Sequence, residues 1–184
     1  MDRRLIAPVL AVGLLATVVA ANWLVATYGL VAAGFGFIVP AGTYAAGLAL
    51  GLRDGLDRIG GLWWVLGAIT GGVILSAVLA SPELAVASAV AFGLGELTDL
   101  LVWRRLRAFG WRRALVASNA VGALVDTWVF LPLAGFPVTV SSVGGQFLVK
   151  AVYLTLAVLV IAEVIVRVRA TADRRPVQVA SPAA

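Results

Sequence analysis

Two residue types are missing from the 184-residue sequence, which contains no cysteine and no histidine. Without cysteine the chain can form neither a disulfide framework nor a thiolate metal site. Without histidine it lacks the commonest general base and the commonest zinc ligand. The sequence also has no HExxH motif, no serine–lysine pair with evident catalytic spacing and no ATP-binding loop. These absences argue against an enzyme and predict neither a metal nor another cofactor.

Charge is scarce as well, because only 12% of the residues are charged and 62% are hydrophobic. The mean hydropathy is +1.05, whereas an ordinary globular domain is about 25% charged and about 45–50% apolar. Repeated apolar runs of 18 or more residues indicate membrane spans. Since backbone hydrogen bonds must be satisfied within lipid, the sequence predicts an all-α integral membrane protein.

The apolar runs between charged, glycine and proline residues predict a bundle of six transmembrane helices. They cover residues 5–27, 35–52, 62–80, 85–103, 114–133 and 144–166, with Pro40 beginning or kinking the second. The first run is long for a signal peptide, so we expect it to be a retained span. The predicted organisation is one transmembrane domain over residues 1–170, followed by a disordered cytoplasmic tail over residues 171–184.

The basic residues lie in alternate connectors. Thirteen of the 14 fall in residues 3–4, 53–58, 104–113 and 167–175, and the intervening connectors have none. By the positive-inside rule, six spans then place both termini in the cytoplasm of a multi-pass protein of the cell membrane. Because these connectors account for the net charge of +5, nucleic acid is not an expected partner.

Ionisable residues within the predicted spans indicate a functional site. Such a residue at the centre of a membrane helix costs about 2.5–3.5 kcal/mol on insertion scales, so it normally faces a cavity or a partner. The helical rise places Glu96 near the midplane, with Asp99 one turn deeper on the same face. Asp126 and Lys150 lie at similar depth on the next two spans. They are expected to pair, leaving Glu96 and Asp99 to meet water, substrate or another helix.

Structural interpretations of these charges remain open. Asp126 and Lys150 can serve purely as a tie between helices, and Asp99 can pair with arginines of its own helix. Glu163 precedes Arg167 by four residues, which favours an ion pair at the cytoplasmic edge.

Polar and aromatic neighbours extend the candidate site. Asn119 precedes Asp126 by two helical turns on the same face, and Gln146 precedes Lys150 by one turn. Trp128 offers either a stacking surface or a member of the aromatic belt, the role expected of Trp103. The candidate substrate-binding residues are therefore Glu96, Asp99, Asn119, Asp126, Trp128, Gln146 and Lys150.

Four segments together resemble the VUT or YhhQ-type family of vitamin and queuosine-precursor transporters. They are "VPAGTYAAGLALGLRD", "FGLGELTDLLVWRRLR", "SNAVGALVDTWVF" and "GQFLVKAVYLTLAVLV". The resemblance covers roughly residues 35–165 and rests on the ordered set Asp99, Arg105, Arg107, Ser118, Gly122, Asp126, Thr127 and Lys150. One departure is Glu96, at a site where the family pattern has glutamine. A carboxylate there changes which exocyclic group is recognised or adds a proton site.

The resemblance implies a six-helix membrane protein that imports 7-deazaguanine compounds such as preQ0 or preQ1. The partners expected from it are a small-molecule substrate and the lipid bilayer, with a homo-oligomer left open. Two alternatives remain: a substrate-capture subunit of a multi-component vitamin or nucleobase importer, and a structural membrane protein whose charges tie helices together.

Overall fold

A computed structural model describes residues 3–79 and 82–172 of the chain, which form a helical bundle with one β-hairpin. The elements in order are α1 (Arg3–Tyr28), β1 (Leu30–Gly34), β2 (Phe37–Pro40), α2 (Thr43–Ile59), α3 (Leu62–Leu79), α4 (Pro82–Leu106), a 3₁₀ turn (Arg107–Phe109), α5 (Trp111–Leu133), α6 (Val140–Phe147), a π-helical segment (Leu148–Leu154) and α7 (Thr155–Ala172). The α6 helix, the π-helical segment and α7 follow one another without a break. Most of the predicted tail, residues 173–184, lies outside the described residues.

Within the described ranges, five helical stretches are long and apolar enough to cross a membrane. They are Leu5–Tyr28, Leu62–Leu79, Leu84–Phe109, Trp111–Leu133 and Val140–Arg167. These stretches coincide with five of the six predicted spans. The remaining helix, α2, has 17 residues and carries four charged side chains near its C-terminal end. The prediction of a helical membrane bundle is thus confirmed, while the second span differs in both length and character.

The prediction that the second span begins at residue 35 is wrong, because residues 30–40 form an antiparallel β-hairpin. Its strands pair Val31 with Val39 and Ala32 with Ile38. Phe35 and Gly36 form the two-residue turn, with φ of 52° and 78°. Positive φ at both central residues is the geometry that matches the twist of a hairpin. The apolar character of this stretch predicted a helix because hydropathy alone does not register such a turn.

Residues 53–58, predicted to be a connector between two spans, instead complete α2, so their assignment as a connector is also wrong. Arg53, Asp54 and Asp57 are buried there against α4. We call the end of the bundle where α2 and α4 finish and α5 starts the arginine end. Arg58 of α2 lies over the Trp111 ring there, 5.8 Å from its centroid. The opposite end, which carries β1 and β2, is the hairpin end.

Two glycines let α4 and α5 cross at close range beside the buried acids. A Cβ atom on Gly95 of α4 would lie 2.8 Å from the Cβ of Asp126, and one on Gly122 of α5 would lie 2.7 Å from the Cβ of Asp99. Real Cβ atoms do not approach that closely, so any larger residue would push the helices apart. Small residues at helix crossings commonly have this role in membranes. The crossing brings Asp126 of α5 next to the acidic residues of α4.

Lys150 lies within the π-helical segment, where the helix is wound more loosely than an α-helix. Its carbonyl accepts a hydrogen bond from the Thr155 hydroxyl at 3.2 Å. Asn119 of α5 donates to the same hydroxyl at 2.9 Å. On the other side, Gly47 of α2 packs against the Lys150 backbone. Since π-helical turns recur at functional sites, this local winding makes Lys150 a candidate functional residue.

Candidate functional site

A cavity opens among the helices toward the hairpin end, with an empty volume of about 520 Å³ that includes its open mouth. Helices α1 to α5 and the α6–π-helical stretch all contribute to its wall. Phe92 of α4 and Phe130 of α5 supply aromatic surface, and Ala21, Val25 and Ala46 supply aliphatic surface. Cavities that are mostly apolar, with a few convergent polar groups, are typical of small-molecule sites.

One side of the cavity is a polar wall built around Lys150, which we call the lysine wall. Lys150 forms an ion pair with Asp126. It also donates a hydrogen bond to the Gln146 side-chain oxygen at 2.6 Å. The Lys150 side chain is 2% exposed, whereas that of Asp126 is 17% exposed. The predicted Asp126–Lys150 pair is therefore present, and its carboxylate is the member that reaches open space.

A second polar wall, which we call the asparagine wall, is made by Asn22, Ser76 and Ser88. Asn22 of α1 donates to the Ser76 hydroxyl of α3 at 3.2 Å, and the Ser88 hydroxyl of α4 donates to the Asn22 side-chain oxygen at 2.8 Å. All three residues line the cavity. Sequence reasoning missed them, since each is a single uncharged polar residue in an apolar run, but mutual hydrogen bonding joins three helices here.

Two buried polar atoms in the cavity wall have no hydrogen-bond partner within the described part of the chain. They are the Thr43 hydroxyl and the Gln146 side-chain nitrogen. A lysine only donates, so Lys150 holds the Gln146 amide with its oxygen inward and leaves the nitrogen free. Unpartnered buried polar groups are costly. Their position in this wall makes them candidate contacts for a polar ligand.

A second, smaller cavity continues from the first toward the middle of the bundle. Its wall shares Ala46, Phe92, Asp126 and Lys150 with the larger cavity and adds Glu96. Glu96 is 2% exposed. The carboxylate that the sequence places near the midplane thus lies where the cavity ends and the buried charges begin.

Beyond Glu96, the fully buried Arg53 of α2 contacts three carboxylates. We call Arg53, Asp54, Glu96 and Asp99 the Arg53 cluster. The guanidinium lies 2.5 Å from an Asp54 oxygen and 3.3 Å from a Glu96 oxygen, and it also forms an ion pair with Asp99. Asp99 is fully buried, and its partner is this arginine of α2 and not one on its own helix. The nearby Ser118 of α5 donates to Asp54 at 3.5 Å.

The arginine end holds a further buried carboxylate, Asp57. It accepts hydrogen bonds from the Trp103 ring nitrogen at 3.0 Å, from Arg104 at 2.6 and 3.1 Å, and from Arg107 at 2.9 Å. Trp103 is 3% exposed, so its assignment to the aromatic belt is wrong. Arg104 and Arg107 are 31% and 46% exposed, which places this group at the edge of the bundle.

The remaining predicted residues are placed apart from the cavity. Asn119 donates to Thr155 and holds α5 against α7. Trp128 is 57% exposed on the outer surface of the bundle. The predicted Glu163–Arg167 pair is present at 3.6 Å, and Glu163 also accepts a hydrogen bond from Arg112 at 2.6 Å. Of the seven candidates, Asp126, Gln146 and Lys150 line the larger cavity, and Glu96 lines the smaller one.

The sequence signal that would have identified Arg53 and Asp54 was present but was assigned to topology. A cationic residue followed by an acidic one at the end of an apolar helix fits a membrane boundary. The same residues fit a buried partner for acidic residues on a neighbouring span. Only the packing of α2 against α4 separates the two interpretations.

Among the described residues, no group of three acidic side chains is arranged to hold a metal ion.

Comparison with known proteins identifies the family of the chain. The sequence model of the putative vitamin uptake transporter family matches residues 8–164, which include every residue of the two cavity walls and of the Arg53 cluster. No curated protein and no solved structure matches the chain. A match over most of the chain, on a bundle of membrane-spanning helices, shows that this is a membrane transport protein of the vitamin uptake transporter family.

Proposed function

We propose that the chain imports a queuosine precursor, a 7-deazaguanine base such as preQ0 or preQ1, across the cell membrane. The observation that carries the proposal is the lysine wall, with one carboxylate reaching the cavity and one amide nitrogen left unpartnered beside it. A 7-deazaguanine base presents two adjacent donors, N1–H and the 2-amino group, and one acceptor, O6. This edge is complementary to a carboxylate next to an amide donor.

In the proposed complex, Asp126 accepts hydrogen bonds from N1–H and the 2-amino group, and the Gln146 nitrogen donates to O6. Lys150 keeps both groups oriented through its contacts with them. Phe92 and Phe130, which line the same cavity, supply the apolar surfaces that cover the ring. A ligand lacking these polar edges leaves buried groups unpaired, and this is the strongest form of selectivity available to such a site.

The test is the queuosine content of tRNA in a bacterial host that lacks both precursor synthesis and its own importer. The host expresses the intact chain, Asp126→Asn or Gln146→Leu, with preQ0 or preQ1 supplied at low concentration. We expect queuosine with the intact chain and at least a tenfold loss with either variant at equal membrane abundance, since each variant removes about 1.4 kcal/mol or more of ligand recognition. Trp128→Phe is the matched control and should leave uptake unchanged, because Trp128 lies on the outer surface.

The alternatives give different results in the same host. A substrate-capture subunit would bind preQ1 after purification yet fail to restore queuosine without a separate energising partner. A structural membrane protein would neither bind nor restore. Either result from a well-inserted chain would overturn the proposal of an autonomous importer.

We also propose that the arginine end and both termini face the cytoplasm, on the basis of the basic residues at that end. The chain has no cysteine, so a single introduced cysteine reports its own position. Cysteine at Phe35 in the hairpin turn should react with an impermeant thiol reagent added to intact cells. Cysteine at Phe109, at the arginine end, should react only after the cells are opened. The reverse pattern would contradict this orientation.

A further inference from the structure

The buried charges of the described bundle do not balance. Asp57 is compensated by Arg104 and Arg107 at the arginine end. Farther inside, Arg53 and Lys150 are the two cations, whereas Asp54, Glu96, Asp99 and Asp126 are four carboxylates. Lys150 pairs with Asp126, which leaves one guanidinium among three acids. Ionised throughout, the Arg53 cluster would carry two uncompensated negative charges in the apolar middle of a membrane protein, an arrangement that low dielectric surroundings strongly disfavour.

Protons are the simplest compensation for this excess. A metal cation in the cluster would lie against the guanidinium and be repelled by it, whereas a proton on a carboxyl oxygen removes charge without needing space. A neutral carboxyl group can still accept from Arg53 and can donate to a neighbouring carboxylate.

Among the three acids, Glu96 is the one positioned to exchange its proton. It is the only member of the Arg53 cluster in the wall of either cavity described above. Its contact with Arg53, at 3.3 Å, is also the longest of the three. Asp54 and Asp99 are held more closely by the same guanidinium and lie behind Glu96 as seen from the cavity.

The charged groups that face Glu96 come from several helices. Arg53 and Asp54 approach from α2, and Asp99 lies one turn away on α4 itself. Asp126 of α5 and Lys150 of the π-helical segment face it across the smaller cavity, while α3 carries no charged residue. A proton arriving from the larger cavity therefore reaches Glu96 past Asp126 and Lys150, the proposed substrate-binding pair.

We propose that the protein is a proton-coupled transporter in which Glu96 takes up and releases the coupled proton. This inference rests on the proposed function for its substrate. When Glu96 is protonated, the cluster loses one excess negative charge and its hold on α2 through Arg53 weakens. When Glu96 releases the proton, the carboxylate binds Arg53 again. Proton binding beside the cavity and helix contact across α2 and α4 are thereby coupled.

The test uses the purified full chain in liposomes, with labelled preQ1 or preQ0 as the probe. An acidic exterior should drive accumulation of the label above its external concentration, and a proton ionophore should abolish it. The Glu96→Gln variant keeps the size and an amide contact for Arg53 but cannot exchange a proton. Because Glu96 makes none of the proposed contacts with the base, this variant should retain exchange of labelled for unlabelled substrate at equal concentrations on both sides. It should lose accumulation driven by the pH gradient. Glu163→Gln, on the outer surface, is the matched control and should behave like the intact chain.

Accumulation that ignores the pH gradient, or that persists in Glu96→Gln, would overturn the proposal. A second measurement separates this failure from failure of the substrate assignment. Infrared spectra of the intact chain at neutral pH should contain the C=O stretch of protonated carboxyl groups. The difference between these spectra and those of Glu96→Gln should show that the variant lacks one component of this band. If the chain exchanges neither preQ0 nor preQ1, the substrate is wrong, and the infrared band still decides for or against a proton on Glu96.

Discussion

Breaking the Asp126–Lys150 pair should cost more stability when the lysine is the residue left behind. Lys150 is 2% exposed, whereas the Asp126 side chain is 17% exposed and reaches the cavity. Asp126→Asn therefore leaves a buried ammonium group without its counter-charge. Lys150→Met leaves a carboxylate that water in the cavity can hydrate, and the methionine still fills the space of the lysine stem.

Two scales set the expected magnitudes. Removing one partner of a buried ion pair costs about 3–5 kcal/mol, and a lysine at the centre of a membrane helix costs about 2.5–3.5 kcal/mol on insertion scales. Asp126→Asn should fall where these ranges overlap, at about 3 kcal/mol, because Lys150 keeps its bond to Gln146 at 2.6 Å. Lys150→Met should cost about 1–2 kcal/mol, the range for a polar group that loses one partner but remains hydrated.

The assay is unfolding of the purified chain in mixed micelles, comparing both single variants with the double variant Asp126→Asn, Lys150→Met. Because the double variant leaves neither charge unpaired, its loss in free energy of unfolding should be smaller than the sum of the single losses by about 1 kcal/mol or more. Additive losses, within about 0.5 kcal/mol, would refute the reasoning. So would a larger loss for Lys150→Met than for Asp126→Asn.

Three further substitutions and one control substitution test the helix contacts. Gly122→Ala should lower the free energy of unfolding by about 1–3 kcal/mol, because the added Cβ clashes with Asp99. Gly67→Ala is the control: no atom lies within 4 Å of its added Cβ, so it should be neutral or stabilising by up to about 1 kcal/mol. Arg53→Gln strands three carboxylates, so its thermal stability in detergent should increase as the pH is lowered and protons replace the lost cation. Asp57→Asn should cost about 1–3 kcal/mol, measured by the same unfolding assay, because its arginine partners are exposed enough to be rehydrated.

The parts of the fold that the sequence predicts are those where lipid dictates the pattern. Long apolar runs identify the five candidate spanning stretches because a single segment satisfies its own backbone hydrogen bonds in a bilayer only as a helix. Depth along each helix predicts the Asp126–Lys150 pair, because two opposite charges at similar depth lower each other's burial cost. The same reasoning predicts that Glu96 and Asp99 need partners, but it cannot identify them.

The parts that the sequence does not predict depend on helix rotation and on packing. Asn119 shares a helix face with Asp126 by spacing, yet it contacts Thr155 and not the cavity. The asparagine wall draws Asn22, Ser76 and Ser88 from three helices, and each alone is an ordinary polar residue. The spacing of residues within one helix does not predict which residues of a second helix will face the first.

Helix α2, whose structure is predicted least well from hydropathy, contributes buried charged residues at two positions along the bundle. It supplies Arg53 to the middle of the bundle and Asp57 to the arginine end, and in both places its partner is α4. The two contacts differ in how readily water can replace them. Arg104 and Arg107 are partly exposed, so they can be hydrated when they leave Asp57, whereas the ions around Arg53 cannot. Separation of α2 from α4 is therefore least costly at the arginine end, and the Arg53 cluster holds the two helices together more firmly.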